Sequence, residues 1–340
     1  VKKIRTFLYI ATLLLLVISA SAEDGFSKAI PFDNEQPVIS TVSLHSEGKL
    51  LITAGDDHVV RVWDLTSGIQ THQLLGHSGW IRTSAFVPNS TEVVTAGDDG
   101  KVLMWNAASG SLSRQILQLD HTVARLVISP DARTLGLVGF SNDILVLELA
   151  TGNVLHKIDG QTGDMRAIGF SGSGKVLATG GRDGTIRLWS VDSGQPLGEF
   201  VAHRRRVRDL KFVNDDSLVV SVSDDRTMFV TNLEDTAASF RIPLGSVIPF
   251  AIADCGNGHE VAVGGTDNQV SVWDLQKQSI RKMFKGHSGS ITSLDYIPRA
   301  NGLGGLLVSG SFDTSVRTWP LAPVQPIRVR VSEQPTASAK

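Results

Sequence analysis

His287, Ser309 and Asp313 are the residue types of a general base, a nucleophile and an orienting acid. His77, Thr95 and Asp99 form the same set earlier in the chain. Such a group performs acyl transfer when its hydroxyl is reachable and the imidazole can take the proton. A third set, His203, Ser221 and Asp225, follows the same order. Catalytic constellations are built once, so a set that recurs belongs first to a repeated architecture. Other chemistries find few residues. There is no Cys-x-x-Cys pair, which removes a c-type haem attachment and a thiolate zinc site. The nine histidines show no close ligand spacing, and no phosphate-cradling glycine loop precedes a helix. The sequence therefore assigns no catalytic residue, metal or cofactor. The single Cys255 cannot form an internal disulfide and reads as a small apolar core residue.

The elements that position these residues follow from a periodicity. Trp63, Trp105, Trp189 and Trp273 lie on a ladder with a 42-residue step, and Leu147 and Thr231 occupy its missing rungs. Trp319 comes 46 residues after Trp273, the extra residues falling in the glycine-rich turn between Pro298 and Leu306. Seven rungs result. Asp57, Asp99, Asp183, Asp225, Asp267 and Asp313 each stand six residues before a rung, and Ser141 breaks the series. Gly68, Gly110, Gly152 and Gly194 stand five residues after the first four rungs, where a tight turn needs φ > 0. The segments between are short and β-rich, such as Val59–Trp63, and there are four per unit. A four-stranded unit of this size cannot bury both faces alone, whereas seven in a ring cover one another.

Trp63-Asp64 and Trp273-Asp274 at the rungs, with Gly76-His77 and Gly286-His287 about fourteen residues after the previous rung, make the repeat resemble the WD-repeat family. The resemblance covers about residues 29–320. It implies an all-β, seven-bladed β-propeller in which each sequence repeat straddles two blades. It also implies that His77, Thr95, Asp99 and Trp105, and likewise His287, Ser309, Asp313 and Trp319, are buried structural tetrads. In that pattern Asp and Ser or Thr hydrogen-bond the imidazole, and the ring meets the Trp N–H. The pattern is incomplete elsewhere: Thr231 replaces Trp in repeat five, Gln161 replaces His in repeat four, and repeat three has Leu119, Leu137, Ser141 and Leu147.

The straddle leaves one outer strand to be supplied by a terminus. An apolar residue stands eleven residues after each of the first six rungs: Leu74, Ile116, Ile158, Phe200, Ile242 and Phe284. Projecting the offset backwards gives Phe32, and projecting it forwards gives Arg330. Residues 29–33 are therefore expected to close the ring as an N-terminal strand. Residues 327–331 compete only with a shifted register, since Pro320, Pro323 and Pro326 interrupt their approach.

By the same resemblance, the start of each repeat's first long strand and the residue before each turn Asp point to a binding surface on the narrower face. These positions hold Trp80, Arg82, Asp164, Arg166, Arg182, Arg206, Arg208, Asp224, Phe140, Ile248, Phe250 and Phe312. Arg82, Arg166 and Arg208 share one rung position, and residues 203–208 are the densest positive run after residue 22. Such a run is either a solvated loop or, with its aromatic neighbours, a patch accepting an acidic peptide or polyanion.

Residues 1–22 have the three-part layout of a secretory signal of bacterial type. Lys2, Lys3 and Arg5 precede an apolar run that ends at Ala20-Ser21-Ala22. The rival reading is an uncleaved membrane anchor. Removal leaves 29 basic against 34 acidic residues, a net charge of −5 that gives no drive toward nucleic acid. Residues 23–28 read as a linker and 321–340 as a proline-rich, disordered tail. The expected protein is an exported, non-catalytic scaffold in the periplasm or cell envelope. It would bind partner proteins or peptides on one propeller face. The alternatives are a propeller-type hydrolase or lactonase acting at the central channel and an accessory subunit of an envelope electron-transfer complex. Oligomeric state is not indicated.

Overall fold

The computed structural model describes residues 28–30, 37–298 and 304–321. They form seven antiparallel four-stranded sheets, the blades of a β-propeller. Blade one is β2 (Ile39–Leu44), β3 (Leu50–Gly55), β4 (Val59–Asp64) and β5 (Ile69–Leu75). Blade two runs from β6 (Ile81–Phe86) to β9 (Ser111–Gln118), and blade three from β10 (Val123–Ile128) to β13 (Val154–Asp159). Blade four spans β14 (Ala167–Phe170) to β17 (Pro196–Val201), blade five β18 (Val207–Val213) to β21 (Phe240–Pro243), and blade six β22 (Pro249–Asp254) to β25 (Ser279–Lys285). Blade seven joins β26 (Ile291–Pro298), β27 (Gly305–Ser311) and β28 (Val316–Leu321) to the N-terminal β1 (Lys28–Ile30). One 3-10 turn, Thr236–Ala238, is the only helical element among the described residues.

Burial follows the position of each strand. β3 reads Leu-Leu-Ile-Thr-Ala-Gly and is buried on both faces, because a neighbouring blade covers each side. The outer β5 alternates exposed and partly covered residues. The apolar clusters lie between adjacent blades rather than in one central core, and Cys255 is buried in one of them. Burial raises the Cys255 thiol well above its ordinary pKa.

The first strands of neighbouring blades contact one another around the ring and line the channel. Their free edges present N–H groups that need partners. Side chains of the preceding blade supply them. Thr41 Oγ1 accepts from Ser84 N at 3.1 Å, Ser43 Oγ from Phe86 N at 3.1 Å and Thr83 Oγ1 from Leu126 N at 3.2 Å. Asp209 Oδ2 accepts from Ile252 N at 3.1 Å. Across the closure, Ser293 Oγ accepts from Val42 N at 3.1 Å and Asp295 Oδ2 from Leu44 N at 2.7 Å.

The ring is closed by the N-terminal strand, as the sequence implies, but in a different register. Ile30 pairs with Val316, the rung that Leu74 occupies against Val60 in blade one. The constant offset puts Phe32 there. A constant step assumes a constant link, and the link from Ile30 to Ile39 is two residues longer than that from Leu74 to Ile81. Phe32 and Asp33, the signal segment, the linker through Ser27, the tail from Ala322 and the competing segment 327–331 lie outside the described residues.

Candidate functional site

Each tetrad is assembled from the approach to a blade's first strand and from its second and third strands. In blade two, His77 Nδ1 meets Asp99 Oδ2 at 2.9 Å and Nε2 meets Thr95 Oγ1 at 2.8 Å. Trp105 Nε1 donates to that same Thr95 hydroxyl at 2.8 Å. In blade seven the corresponding distances are 2.9 Å to Asp313, 2.7 Å to Ser309 and 2.8 Å from Trp319. The indole N–H therefore meets the hydroxyl, not the imidazole ring as the resemblance implies. The chain assigns its own protons: the hydroxyl accepts from Trp and donates to Nε2, leaving Nδ1–H to donate to the carboxylate.

This arrangement holds neutral histidines. Burial lowers the pKa of His77 and His287 below their ordinary value, with Asp99 and Asp313 opposing it. Burial acts to raise Asp99 and Asp313, but hydrogen bonds, including those from Ser78 N and from Ser315 and Ser288 N, outweigh it and hold both carboxyls low. Thr95 and Ser309 are 0% exposed. A hydroxyl that is sealed off and already bonded to an indole cannot attack a substrate, so these sets are structural.

The incomplete tetrads solve the same problem differently. In blades one and four, Trp63 and Trp189 still donate to Thr53 and Thr179, each at 2.9 Å. Their carboxylates are met by arginines, Arg61 at 2.6 Å from Asp57 and Arg187 at 2.9 Å from Asp183. In blade five, His203 bonds Asp225 and Ser221, while Thr231 stands in place of Trp and its hydroxyl is buried without a partner. In blade three, Leu119, Leu137 and Leu147 pack in an apolar cluster instead.

The expected binding residues converge at the end of the channel where the first strands begin. In six blades the register shifts by one residue at the second position of the first strand. A bulge of this kind re-aims a side chain. The residues so placed are Ser40, Arg82, Ala124, Arg208, Phe250 and Thr292, and Arg166 takes the same rung just before β14. The second strand comes close behind the bulge: a Cβ on Gly97 would lie 2.0 Å from the Trp80 carbonyl oxygen. Together with Trp80, Arg125 and Phe312, these seven residues line a cavity of about 180 Å3.

Three of its guanidiniums lie near aromatic faces, those of Trp80 and Phe250 in the wall and that of Phe140 outside it. Arg82 lies 4.1 Å above the Trp80 ring, Arg166 5.3 Å from Phe140 and Arg208 5.2 Å from Phe250. Phe250 and Phe312 meet edge-on at 6.5 Å. Each arginine also has a carboxylate. Arg82 is bidentate to Asp98 at 2.9 and 2.8 Å, Arg166 Nε bonds Asp164 at 2.8 Å and Arg208 Nε bonds Asp224 at 2.6 Å. The three arginines of this rung are therefore ion-paired rather than free charge, while Arg204 and Arg205 of the positive run are exposed. The Nη groups of Arg166 and Arg208 have no hydrogen-bond partner among the described residues, and Trp80 Nε1 is buried without one.

Six expected residues lie outside this lining, Phe140, Asp164 and Asp224 standing behind it as partners of its arginines. Arg182 is exposed in a turn of blade four, and Arg206 turns aside to bond Asp164 at 2.6 Å. Ile248 also stays out of it. Sequence reasoning missed Ser40, Ala124 and Thr292, which the 42-residue step from Arg82 would have found. It also missed Arg125, which reaches Asp209 two blades away at 2.5 Å. Arg125 lines both the mouth and the channel below, a cavity of about 290 Å3. The acidic groups in that channel, Asp209 and Asp295, are those that accept the N–H groups of the next blade.

The repeat described as "WD domain, G-beta repeat" matches residues 31–64, 68–106, 152–190, 194–232 and 278–320. The chain belongs to the WD-repeat family. The two long unmatched stretches hold the tetrads of blade three, where Leu119, Leu137, Ser141 and Leu147 replace all four members, and of blade six, where Gly245 and Val263 replace the histidine and the hydroxyl. Among similar proteins, the WD repeat-containing protein 91 homolog of Dictyostelium discoideum is 23% identical over 46% of this chain and 21% of its own length. Pre-mRNA-processing factor 17 of Saccharomyces cerevisiae is 27% identical over 43% of this chain and 32% of its own. The E3 ubiquitin-protein ligase COP1 of Pisum sativum is 25% identical over 45% of this chain and 22% of its own. The chain thus matches a third or less of each of these relatives. WD-repeat proteins generally act as scaffolds for protein interactions.

Proposed function

We propose that this WD-repeat propeller is a non-catalytic scaffold of the cell envelope that captures partner proteins at the mouth of its channel. The observation that carries the reading is the convergence of three arginines, Arg82, Arg166 and Arg208, and three aromatic residues, Trp80, Phe250 and Phe312, on one cavity. Arginine and aromatic side chains are the types that dominate binding energy at protein interfaces. The chemistry favours an acidic segment. Its carboxylates would bond the Nη groups of Arg166 and Arg208 while Asp164 and Asp224 keep Nε, so the guanidiniums gain partners without losing those they have. Apolar side chains of the segment would lie against Phe250 and Phe312. Export rests on residues 1–22 alone. Among the described residues, no helix is long and apolar enough to cross a membrane.

The test is binding of a fluorescent, blocked peptide of alternating Glu and Leu to the full chain, read by anisotropy at several salt concentrations. Arg166→Glu with Arg208→Glu is expected to weaken binding by at least roughly a hundredfold and to flatten its salt dependence. Equal affinity of the variant and the parent would remove the proposal.

A further inference from the structure

We propose that the histidine position that blade six fills with Gly245 is a second docking site, on the circumference, which takes an arginine side chain of a partner protein. A different observation carries this from the one at the channel mouth. Blade six keeps two tetrad members, Asp267 and Trp273, in β24 (Gln269–Asp274) and the turn before it. Gly245 stands where His203 stands one step earlier, and Val263 stands for the hydroxyl. Trp273 Nε1 has turned to Ser271 Oγ at 2.9 Å. A cavity of about 210 Å3 results, with Asp267, Trp273 and Val263 among its walls and Ile280 and Met283 at its rim, each 42% exposed. The comparison with blade three is direct. There Leu119 occupies the histidine position, and only about 10 Å3 is left.

The chemistry of the occupant is written in the other blades. Wherever a tetrad carboxylate lacks its histidine, a guanidinium meets it: Arg61 on Asp57 and Arg187 on Asp183. In blade five, Arg241 also reaches Asp225, at 3.3 Å, and lies 5.1 Å from the Phe229 ring. Blade six has lost both in-chain sources. Ser271 stands on the rung of Arg61 and Arg187, and Met283 on the rung of Arg241. No salt bridge reaches Asp267 among the described residues; it accepts a long hydrogen bond from Gln269 N at 3.4 Å. Burial raises its pKa, the direction expected of a carboxyl without a cation. An arginine entering from the rim would lay its methylenes on Ile280 and Met283, stack its planar head near Trp273 and pair with Asp267.

The probe is Nα-acetyl-arginine methylamide, with the corresponding citrulline compound as its uncharged isostere. Both are titrated into the full chain with its six tryptophans 15N-labelled, and indole resonances are followed, that of Trp273 being assigned through Trp273→Phe. The arginine probe is expected to shift the Trp273 signal saturably. The citrulline probe, and the arginine probe on Asp267→Asn, are expected to bind roughly tenfold more weakly. Ser271→Arg restores the in-chain guanidinium of blades one and four and is expected to abolish binding while leaving the fold intact. An unmoved Trp273 signal, equal binding of citrulline, or undiminished binding by Ser271→Arg overturns the proposal. So does a shift confined to Trp80, which would place the cation at the channel mouth instead.

Discussion

Replacing His287 by leucine tests whether the tetrads hold the ring or merely decorate it. The imidazole makes two hydrogen bonds, at 2.9 Å to Asp313 and 2.7 Å to Ser309. The Ser309 hydroxyl keeps the indole donor of Trp319 but loses the acceptor for its own proton, a neutral bond in a fully buried place, at about 1 kcal/mol. Asp313 loses one charge-assisted donor at about 1.5–3 kcal/mol, softened because Ser288 N, Ser315 N and Ser315 Oγ still bond it. Leucine returns some apolar contact. The expected net loss is about 2–3 kcal/mol, read as a lower midpoint in urea with an unchanged slope. Blade three supplies the internal control, since its four apolar or small residues pack without stranded partners. His287→Leu, Ser309→Leu, Asp313→Ser and Trp319→Leu together import that solution. The fourfold variant is expected to be more stable than the single one, because no buried donor or acceptor is left alone. A loss below about 0.5 kcal/mol for His287→Leu, within the range of ordinary surface changes, would refute the reasoning.

Deleting residues 28–30 removes the three pairings with β28 and exposes that strand's outer edge; a lower urea midpoint and faster proteolysis at blade seven are expected, and an unchanged midpoint would rule out the closure. The histidine pKa shifts set a pH dependence. The folded-state values of His77 and His287 lie below the ordinary 6.5, so the unfolded chain binds more protons and stability falls as pH drops from about 6.5 through the folded values. Urea midpoints at pH 8, 6.5 and 5 should decline across that window, and the double variant His77→Leu, His287→Leu should decline less. The lowered carboxyls of Asp99 and Asp313 add a further loss below their ordinary 3.8.

The architecture was legible because the 42-residue step is imposed by packing. Each blade must present the same buried faces to its neighbours, so Trp63, Trp105, Trp189, Trp273 and Trp319 mark equivalent places whatever the rest of the repeat does. Register at the closure was less legible, since the link between two strands is free to lengthen and no packing constraint fixes its count. The channel mouth was half legible. Arg82, Arg166, Arg208 and Phe250 stand on one rung, but Ser40, Ala124 and Thr292 on that rung carry no type that attracts notice. Arg125 could not be found by spacing at all. Its partner Asp209 lies two steps away, across the ring, where no single-repeat spacing relates the two. Blade six was hidden for the opposite reason. Asp267 and Trp273 keep their rungs, so a ladder counts the repeat as intact although the residues they serve elsewhere are gone.

That contrast separates structure from function within one repeat. Positions that pack between blades are held to a narrow set of types, and a departure there must be repaired, by Arg61 and Arg187 in two blades and by leucines in another. The second position of each first strand faces the channel mouth rather than a neighbouring blade, and its residues differ around the ring: Ser, Arg, Ala, Arg, Arg, Phe and Thr. The result is a mouth with two unlike sides. Blades four and five contribute Arg166 and Arg208 with open Nη groups, and blades six and seven contribute Phe250 and Phe312. On the function proposed above, a segment with carboxylates toward Arg166 and Arg208 and apolar side chains toward Phe250 and Phe312 would fit in one orientation across the channel better than in the reverse, which would make the site of a repetitive fold directional.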